Sequence, residues 1–441
     1  MARYEENIDK RREKREALRR QREIEQRRLR VGLIAAVIVL ALCAWGIVVI
    51  ARNAPESPES VGQSAAMEAT KAPTEPTQPP ASVQQNTITT IHIKAAGDLN
   101  VTNATVDAGL AANGYDYTRA FMDVGSILSD ADLTVLNLEG NICGEPYGTE
   151  RTSAPAALLK GLRDVGVDLV QMANSCTVNN GINGLAATLQ AVRDAGLVPM
   201  GAYATEAEFR QSKGYTLCDV QGVKVAFVAF TKGLGGRGLP SGSEDCVNLL
   251  YVDYATEYSD IDQEGITAVL KDVANEDPDI VIAMLHWGSE YDDVISDSQK
   301  SIVSLMQKNG VDVIIGTHPH TVQKIDFDQA AGTLVAYSLG DFFGDAVRGG
   351  TNYSIILDVE ITKDSASGTT RVTDFSYTPI YTVKETQCVD QDRRVVRIEQ
   401  AMIAYENNFV DKIIESCNSD MAYSLTRIED RVNPKTEDEK K

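Results

Sequence analysis

The chain has 441 residues, of which 43% are hydrophobic and 24% charged, and its formal net charge is -21. At roughly 150 residues per domain this length allows two or three domains, and the apolar fraction is enough to bury a core, which excludes a wholly disordered chain. The excess of 63 acidic over 42 basic residues excludes a nucleic-acid-binding protein of the usual basic kind.

The charge is unevenly placed. Residues 1–30 hold 12 basic and 7 acidic side chains, residues 31–50 hold none, and the remainder holds 30 basic and 56 acidic. The uncharged stretch, VGLIAAVIVLALCAWGIVVI, would span about 30 Å as a helix, the thickness of a bilayer's hydrocarbon core. It has no polar stripe of the kind a soluble helix keeps, and it is too long and too far from the start for a signal peptide. A transmembrane helix is therefore expected over 31–51. Arg19, Arg20, Arg22, Arg27, Arg28 and Arg30 crowd its N-terminal border while Arg52 stands alone beyond it until Lys71. Basic residues are retained on the cytoplasmic side, so the tail 1–30 is expected inside, against anionic membrane lipid, and the body outside. Residues 52–90 contain Pro55, Pro58, Pro73, Pro76, Pro79 and Pro80 among Ser, Thr, Ala and Gln, a composition that reads as an extended stalk.

The folded body is expected from residue 91. Short β-rich runs recur at 133–138, 168–172, 223–230, 280–285, 311–315 and 333–337, and helix-period segments such as INGLAATLQAVRDAG, TAVLKDVANE and SQKSIVSLMQKNG lie between several of them. Alternating strands and helices predict an α/β sheet covered on both faces. In the opening run IHIKAAGDLN the chain is expected to turn at Gly97 and Asp98. SIILDVEIT and TRVTDFSYTPIYTV read as antiparallel strands, and amphipathic helices are expected at 392–416 and near 421–429. Of seven cysteines, Cys43 lies in the apolar run; the other six have no CxxC spacing, which excludes a zinc ribbon or thioredoxin motif and leaves their pairing open.

Ligands of α/β sheets bind beyond the carboxyl ends of strands, and the chemically interesting residues of this chain fall there. Asp98 follows the first strand, Asn137 and Glu139 end the second, Asn174 and Cys176 follow the third, His286 ends IVIAMLH, and His318 and His320 follow VDVIIGT. Carboxylates, an amide and imidazoles form a mixed oxygen and nitrogen set that suits manganese, iron or zinc better than calcium or magnesium. One or two such divalent ions are expected as cofactors. The glycine-rich TKGLGGRGLPSGSED carries Lys232 and Arg237, weak candidates to meet an anionic substrate, and Arg151 and Arg348 are similar.

GD at 97–98, NLEG at 137–140, HWGSEY at 286–291, GTHPH at 316–320 and YSLGDFF at 337–343 together resemble the CapA family of poly-gamma-glutamate capsule synthesis proteins, whose domain is related to the calcineurin-like metallophosphoesterases. The resemblance covers about residues 91–345. It implies layered sheets flanked by helices, preceded here by a single transmembrane helix. It further implies that Asp98 binds one ion, Glu139 bridges, Asn174 and His286 bind the second, and His318 and His320 divide between them. Glu290 is a candidate to orient an imidazole, Asp341, where the family usually has Asn, a candidate acceptor behind the ligands, and Trp287 and Tyr291 read as packing. Two positions depart from the pattern. Cys176 stands where the family has the His expected to protonate a leaving group, and Asn100, a weaker ligand, stands where many related phosphoesterases have His.

The domain reading is thus a basic tail 1–30, a membrane helix 31–51, a stalk 52–90, a CapA-like domain 91–390 and a C-terminal helical segment 391–441. The function expected is that of a single-pass protein of a bacterial cell membrane, its domain outside, acting in synthesis, export or attachment of a capsular anionic polymer. Its expected partners are membrane lipid, the anionic polymer and the membrane subunits of a polymer synthase. A metal-dependent hydrolase or phosphoesterase of an envelope substrate, or a binding module that has lost catalysis, are the alternatives.

Overall fold

The structure is a computed structural model that describes residues 87–408 and 413–434. The tail, the apolar segment and nearly all of the stalk fall outside the described residues; among those described, no helix is long and apolar enough to cross a membrane.

The fold is α/β, with two sheets packed face to face and helices on the two outer faces. The first sheet runs in the order Arg394–Arg397, Thr369–Val383, Tyr353–Asp364, Ile88–Asn100, Leu133–Glu139, Leu169–Gln171 and Val198–Met200, with Asp341–Phe343 paired in parallel to the end of Ile88–Asn100. The second runs Ile325–Asp328, Thr333–Ala336, Val313–Thr317, Ile280–His286, Val223–Thr231 and Tyr215–Val220. Period-two alternation builds the layers. In Val223–Thr231, Val223, Val225, Phe227 and Ala229 enter the core between the sheets, whereas Ala226, Val228 and Phe230 face an outer core that also holds Ile266 and Leu270 of the helix Gln263–Asn275 and Ile302 of Asp297–Lys308. Strands buried on both faces need to be apolar, which is why this run reads as continuously apolar from Val225 to Phe230.

The expected strands and helices form close to their expected bounds. The opening strand does not turn at Gly97; it continues as Ile88–Asn100 and absorbs a register shift between Ala95 and Asp98 against its neighbour Leu133–Glu139. The segment expected as one helix over 392–416 begins as the strand Arg394–Arg397, paired with Thr369–Val383, and only then becomes the helix Ile398–Glu406. The alternation of Val395 and Val396 into different cores overrides a helical period too short to be distinctive. The last helix is longer than expected, Glu415–Val432, and buries Cys417, Met421, Ile428 and Val432 in the core between the sheets. All six cysteines of the described residues are free thiols.

Candidate metal centre

Six side chains from both sheets converge at the carboxyl ends of the central strands. Asp98 lies near the end of Ile88–Asn100, Glu139 ends Leu133–Glu139, His286 ends Ile280–His286, His318 and His320 follow Val313–Thr317, and Asp341 opens Asp341–Phe343. Three triads have ligand atoms within 4.8 Å of one another: Glu139, His318 and His320; Asp98, His320 and Asp341; Asp98, Glu139 and His286. Asp98, Glu139 and His320 are each shared by two triads, the pattern of adjoining sites with bridging groups. His286 Nε2 stands 3.6 Å from Glu139 Oε1, and His320 Nε2 stands 3.9 Å from Glu139 Oε2.

The donor set fits a cation. Among the described residues, buried polar atoms with no hydrogen-bond partner include Glu139 Oε2, His286 Nε2 and His318 Nδ1, and all three lie in this cluster. Such atoms are costly when buried alone and call for an ion or other partner. Burial pushes the Asp98 carboxyl up to about 7 and raises those of Glu139 and Asp341. His286 and His318 are held well below their ordinary value by burial, and then by neighbouring positive groups, so both are neutral and able to ligate. Burial disfavours the His320 imidazolium too, yet Asp341 at 2.7 Å, with Glu139 and Asp98, raises it well above the ordinary value.

Neighbouring groups set the orientation of these ligands. Asp341 holds His320 Nδ1, which turns Nε2 toward Glu139. Thr317 Oγ1 lies 3.2 Å from His286 Nδ1 and donates to Gln171 Oε1, leaving Nε2 free. Asn137 Nδ2 donates to Asp98 Oδ1 at 2.6 Å, and the His318 backbone N–H donates to Asp98 Oδ2 at 3.0 Å. The Ser175 hydroxyl donates to Glu139 Oε1. His318 and His320 are bent into positive φ, 94° and 57°, a conformation rare for such residues and concentrated at functional sites.

Of the residues expected from the sequence, Asp98, Glu139, His286, His318 and His320 come together, and Asp341 stands behind His320. Asn174 is buried beside them with its amide engaged: Nδ2 donates to Asn137 Oδ1 and Leu138 O, and Oδ1 accepts the Cys176 N–H. Asn100 hydrogen-bonds to Asp341 and so braces the carboxylate behind His320. Glu290 is exposed and hydrogen-bonds to no imidazole among the described residues. Lys232 Nζ donates to Gly288 O and lies over the Tyr258 ring, while Arg237 is exposed near Cys176. Trp287 is packing, fully buried and stacked on Tyr337. Tyr291 is not; it is 39% exposed and stacks on His320. The orienting roles of Asn137, Thr317 and Ser175 were not foreseen; the only signal in the sequence was their place at or just past strand ends.

Cys176 reaches the edge of this cluster, where burial and the Glu139 carboxylate push its thiol up to about 12. The metal-free protein should therefore alkylate at Cys176 about a thousandfold more slowly at pH 8 than a thiol of ordinary pKa, since the thiolate is the reacting form. Labelling with iodoacetamide followed by peptide mass spectrometry checks this, and labelling at an ordinary rate would contradict the assigned environment.

Residues 92–346, more than half of the chain, match the family described as Bacterial capsule synthesis protein PGA_cap. The chain is 26% identical over 240 residues to the capsule biosynthesis protein CapA of Bacillus anthracis, covering 53% of this chain and 55% of that one. It is 28% identical over 222 residues to the PGA biosynthesis protein CapA of Bacillus subtilis strain 168, covering 50% and 53%. The chain thus spans about half the length of the curated relatives it matches. Among solved structures it is similar to the calcineurin-like phosphoesterase YfkN from Bacillus subtilis, with a TM-score of 0.41, 15% identity and coverage of 78% of this chain and 98% of that one. It is also similar to a phosphatase from Mycoplasma pneumoniae, with a TM-score of 0.40, 15% identity and coverage of 67% and 95%.

Proposed function

The chain belongs to the bacterial capsule synthesis protein family, and from that premise we propose that it acts in the synthesis, export or attachment of an extracellular anionic polymer such as poly-γ-glutamate. In this reading residues 31–51 anchor it in the membrane with the tail inside, the stalk holds the domain away from the bilayer, and the polymer synthase's membrane subunits are its neighbours. The basic N-terminal flank and the apolar run support that topology. The observation that carries the chemistry is the set of three orphaned buried ligand atoms on Glu139, His286 and His318. One or two ions of manganese, iron or zinc held there would polarise an anionic substrate and acidify water. They would also supply positive charge inside an acidic body, whose repulsion of a polyanion otherwise reaches about 8 Å at physiological salt.

Deletion of the gene in its own host should reduce surface polymer, and a copy carrying His286→Ala or His318→Ala should fail to restore it. Each variant should also hold less metal when the full-length protein is purified and assayed by plasma mass spectrometry. Unchanged metal content in both variants would remove the centre. Full restoration by metal-depleted variants would separate the polymer role from the metal.

A second reading, metal-dependent hydrolysis of an envelope phosphoester, is favoured by the ligand set itself. Cys176 weakens it, because a thiol pushed up to about 12 is a poor proton donor to a leaving group. The wild type should hydrolyse simple alkyl phosphoesters, whose leaving group needs a proton, weakly or not at all. Cys176→His should raise that rate by about 10²-fold or more, the usual contribution of a positioned general acid. Robust wild-type turnover unaffected by this substitution would place the chemistry elsewhere.

A further inference from the structure

The mouth of the metal centre carries an arrangement that the ligand set does not require. Tyr291 lies over His320, with ring centroids 5.5 Å apart and planes 29° from parallel. On Tyr291 lies Arg348, its guanidinium carbon 4.1 Å from the phenol centroid. The three groups form a column that starts at a ligand imidazole and ends in solvent, since Arg348 is exposed.

The column is held from both ends. Tyr291 sits at φ 62°, a conformation that a bulky side chain adopts only under constraint. Its backbone N–H donates to Pro319 O at 2.8 Å, which ties it to the loop that carries both histidines. The Arg348 carbonyl accepts hydrogen bonds from the Thr351 N–H and hydroxyl, fixing the turn that presents the guanidinium. Backbone strain of this kind points to function when the surroundings maintain it.

The chemistry of the guanidinium follows from how it is held. Its central carbon lies over the Tyr291 ring and its N–H donors have no acceptor among the described residues, so the fork that matches an oxyanion remains available. Among the described residues Arg348 has no carboxylate within salt-bridge distance. Arg151, Arg237, Arg371 and Arg397 also have none among the described residues, so what sets Arg348 apart is its place over the ring that stacks on His320. Lys232 differs, because its ammonium is already held by Gly288 O and the Tyr258 ring.

We infer that Arg348, laid on Tyr291 two ring layers out from His320, is a second anion subsite that holds the next charged group of a chain whose first anionic group lies at the metal centre. The inference rests on the metal centre proposed above and deepens it: the site selects a repeating polyanion over a single anion. Carboxylates repeated along a γ-linked peptide and phosphates repeated along a polyphosphate share this chemistry.

The test is calorimetric titration of the manganese-loaded full-length protein with glutamate against tetra-γ-glutamate, and with inorganic phosphate against tripolyphosphate. Metal content is measured on every sample. In the wild type at least one oligomer should bind about tenfold more tightly than its monomer, the gain of one charge-assisted contact; which pair shows it identifies the repeat. Arg348→Ala should remove that gain without changing metal content, and Tyr291→Phe, which keeps the ring, should retain it. A metal-loaded wild type that binds neither oligomer more tightly, or an Arg348→Ala protein that keeps the gain, overturns the subsite and leaves the metal centre standing. A wild type that takes up no metal overturns the centre first, and the subsite with it.

Discussion

Gly97→Ala should cost the protein about 3 kcal/mol or more and most of its bound metal, while Gly238→Ala should cost neither. A β-carbon at Gly97 would lie 1.8 Å from the backbone oxygen of Gly340, whereas one at Gly238 meets nothing within 4 Å. No rotamer change relieves a clash with backbone. The strand Ile88–Asn100 and the segment entering Asp341–Phe343 would have to separate, breaking the hydrogen bond from the Asp98 N–H to Gly340 O and the parallel register that sets Asp98 beside Asp341. Both carboxylates would move together, and with them the ligand geometry around His320. A drop in melting temperature of roughly 5–10 °C with metal content well below wild type is the expected result. An alanine protein of wild-type stability and metal content would show that this close approach is not required.

Metal should stabilise the fold by about 4 kcal/mol at a thousandfold excess over its Kd, and that effect should depend on pH. Burial raises the Asp98 carboxyl from 3.8 to about 7, so the metal-free fold holds a proton that the unfolded chain releases. The stability this contributes is full below pH 3.8 and is lost as pH rises to about 7. His320, raised above 6.5 chiefly by Asp341 against the opposing effect of burial, acts in the same direction. Its contribution is full below 6.5 and is lost as pH climbs through its folded value. His286 and His318, held below 6.5 by burial, act oppositely and weaken the fold as pH falls below 6.5. The carboxyl ligates as carboxylate and the three histidines as neutral imidazoles, so the terms converge on one outcome. The melting-temperature increase on adding manganese or zinc should be large at pH 8 and shrink steadily toward pH 5. Scanning fluorimetry with and without chelator measures it; an increase that is the same at both pH values would mean that the ion binds elsewhere.

The α/β class and the residues that converge at the candidate site were legible in the sequence for one physical reason. Runs such as 225–230 and 280–285 are buried on both faces and so are continuously apolar, and a polar residue at the end of such a run stands out. Asp98, Glu139, His286, His318 and His320 were found in that way, and the motifs around them carried the family. The pairing of Arg394–Arg397 into the first sheet was not legible, because a four-residue strand next to a helix has no distinctive period of its own; only its partner Thr369–Val383 decides it.

Local sequence also left the orientation of the ligands undetermined. That Asp341 turns His320, that Thr317 turns His286, and that Asn137 and Ser175 hold the two acidic ligands are contacts between residues distant in the chain, from 21 to 39 positions apart. Tyr291 shows the limit most clearly. As an aromatic residue beside a predicted site it read as packing, since sequence registers an apolar ring but not the face it presents. The tertiary structure stacks this ring on His320 and sets the Arg348 guanidinium over it. What the sequence determined was which polar residues stand at the strand ends; the approach of the two sheets decided which of their atoms meet, because a side chain's neighbours across a core belong to other strands.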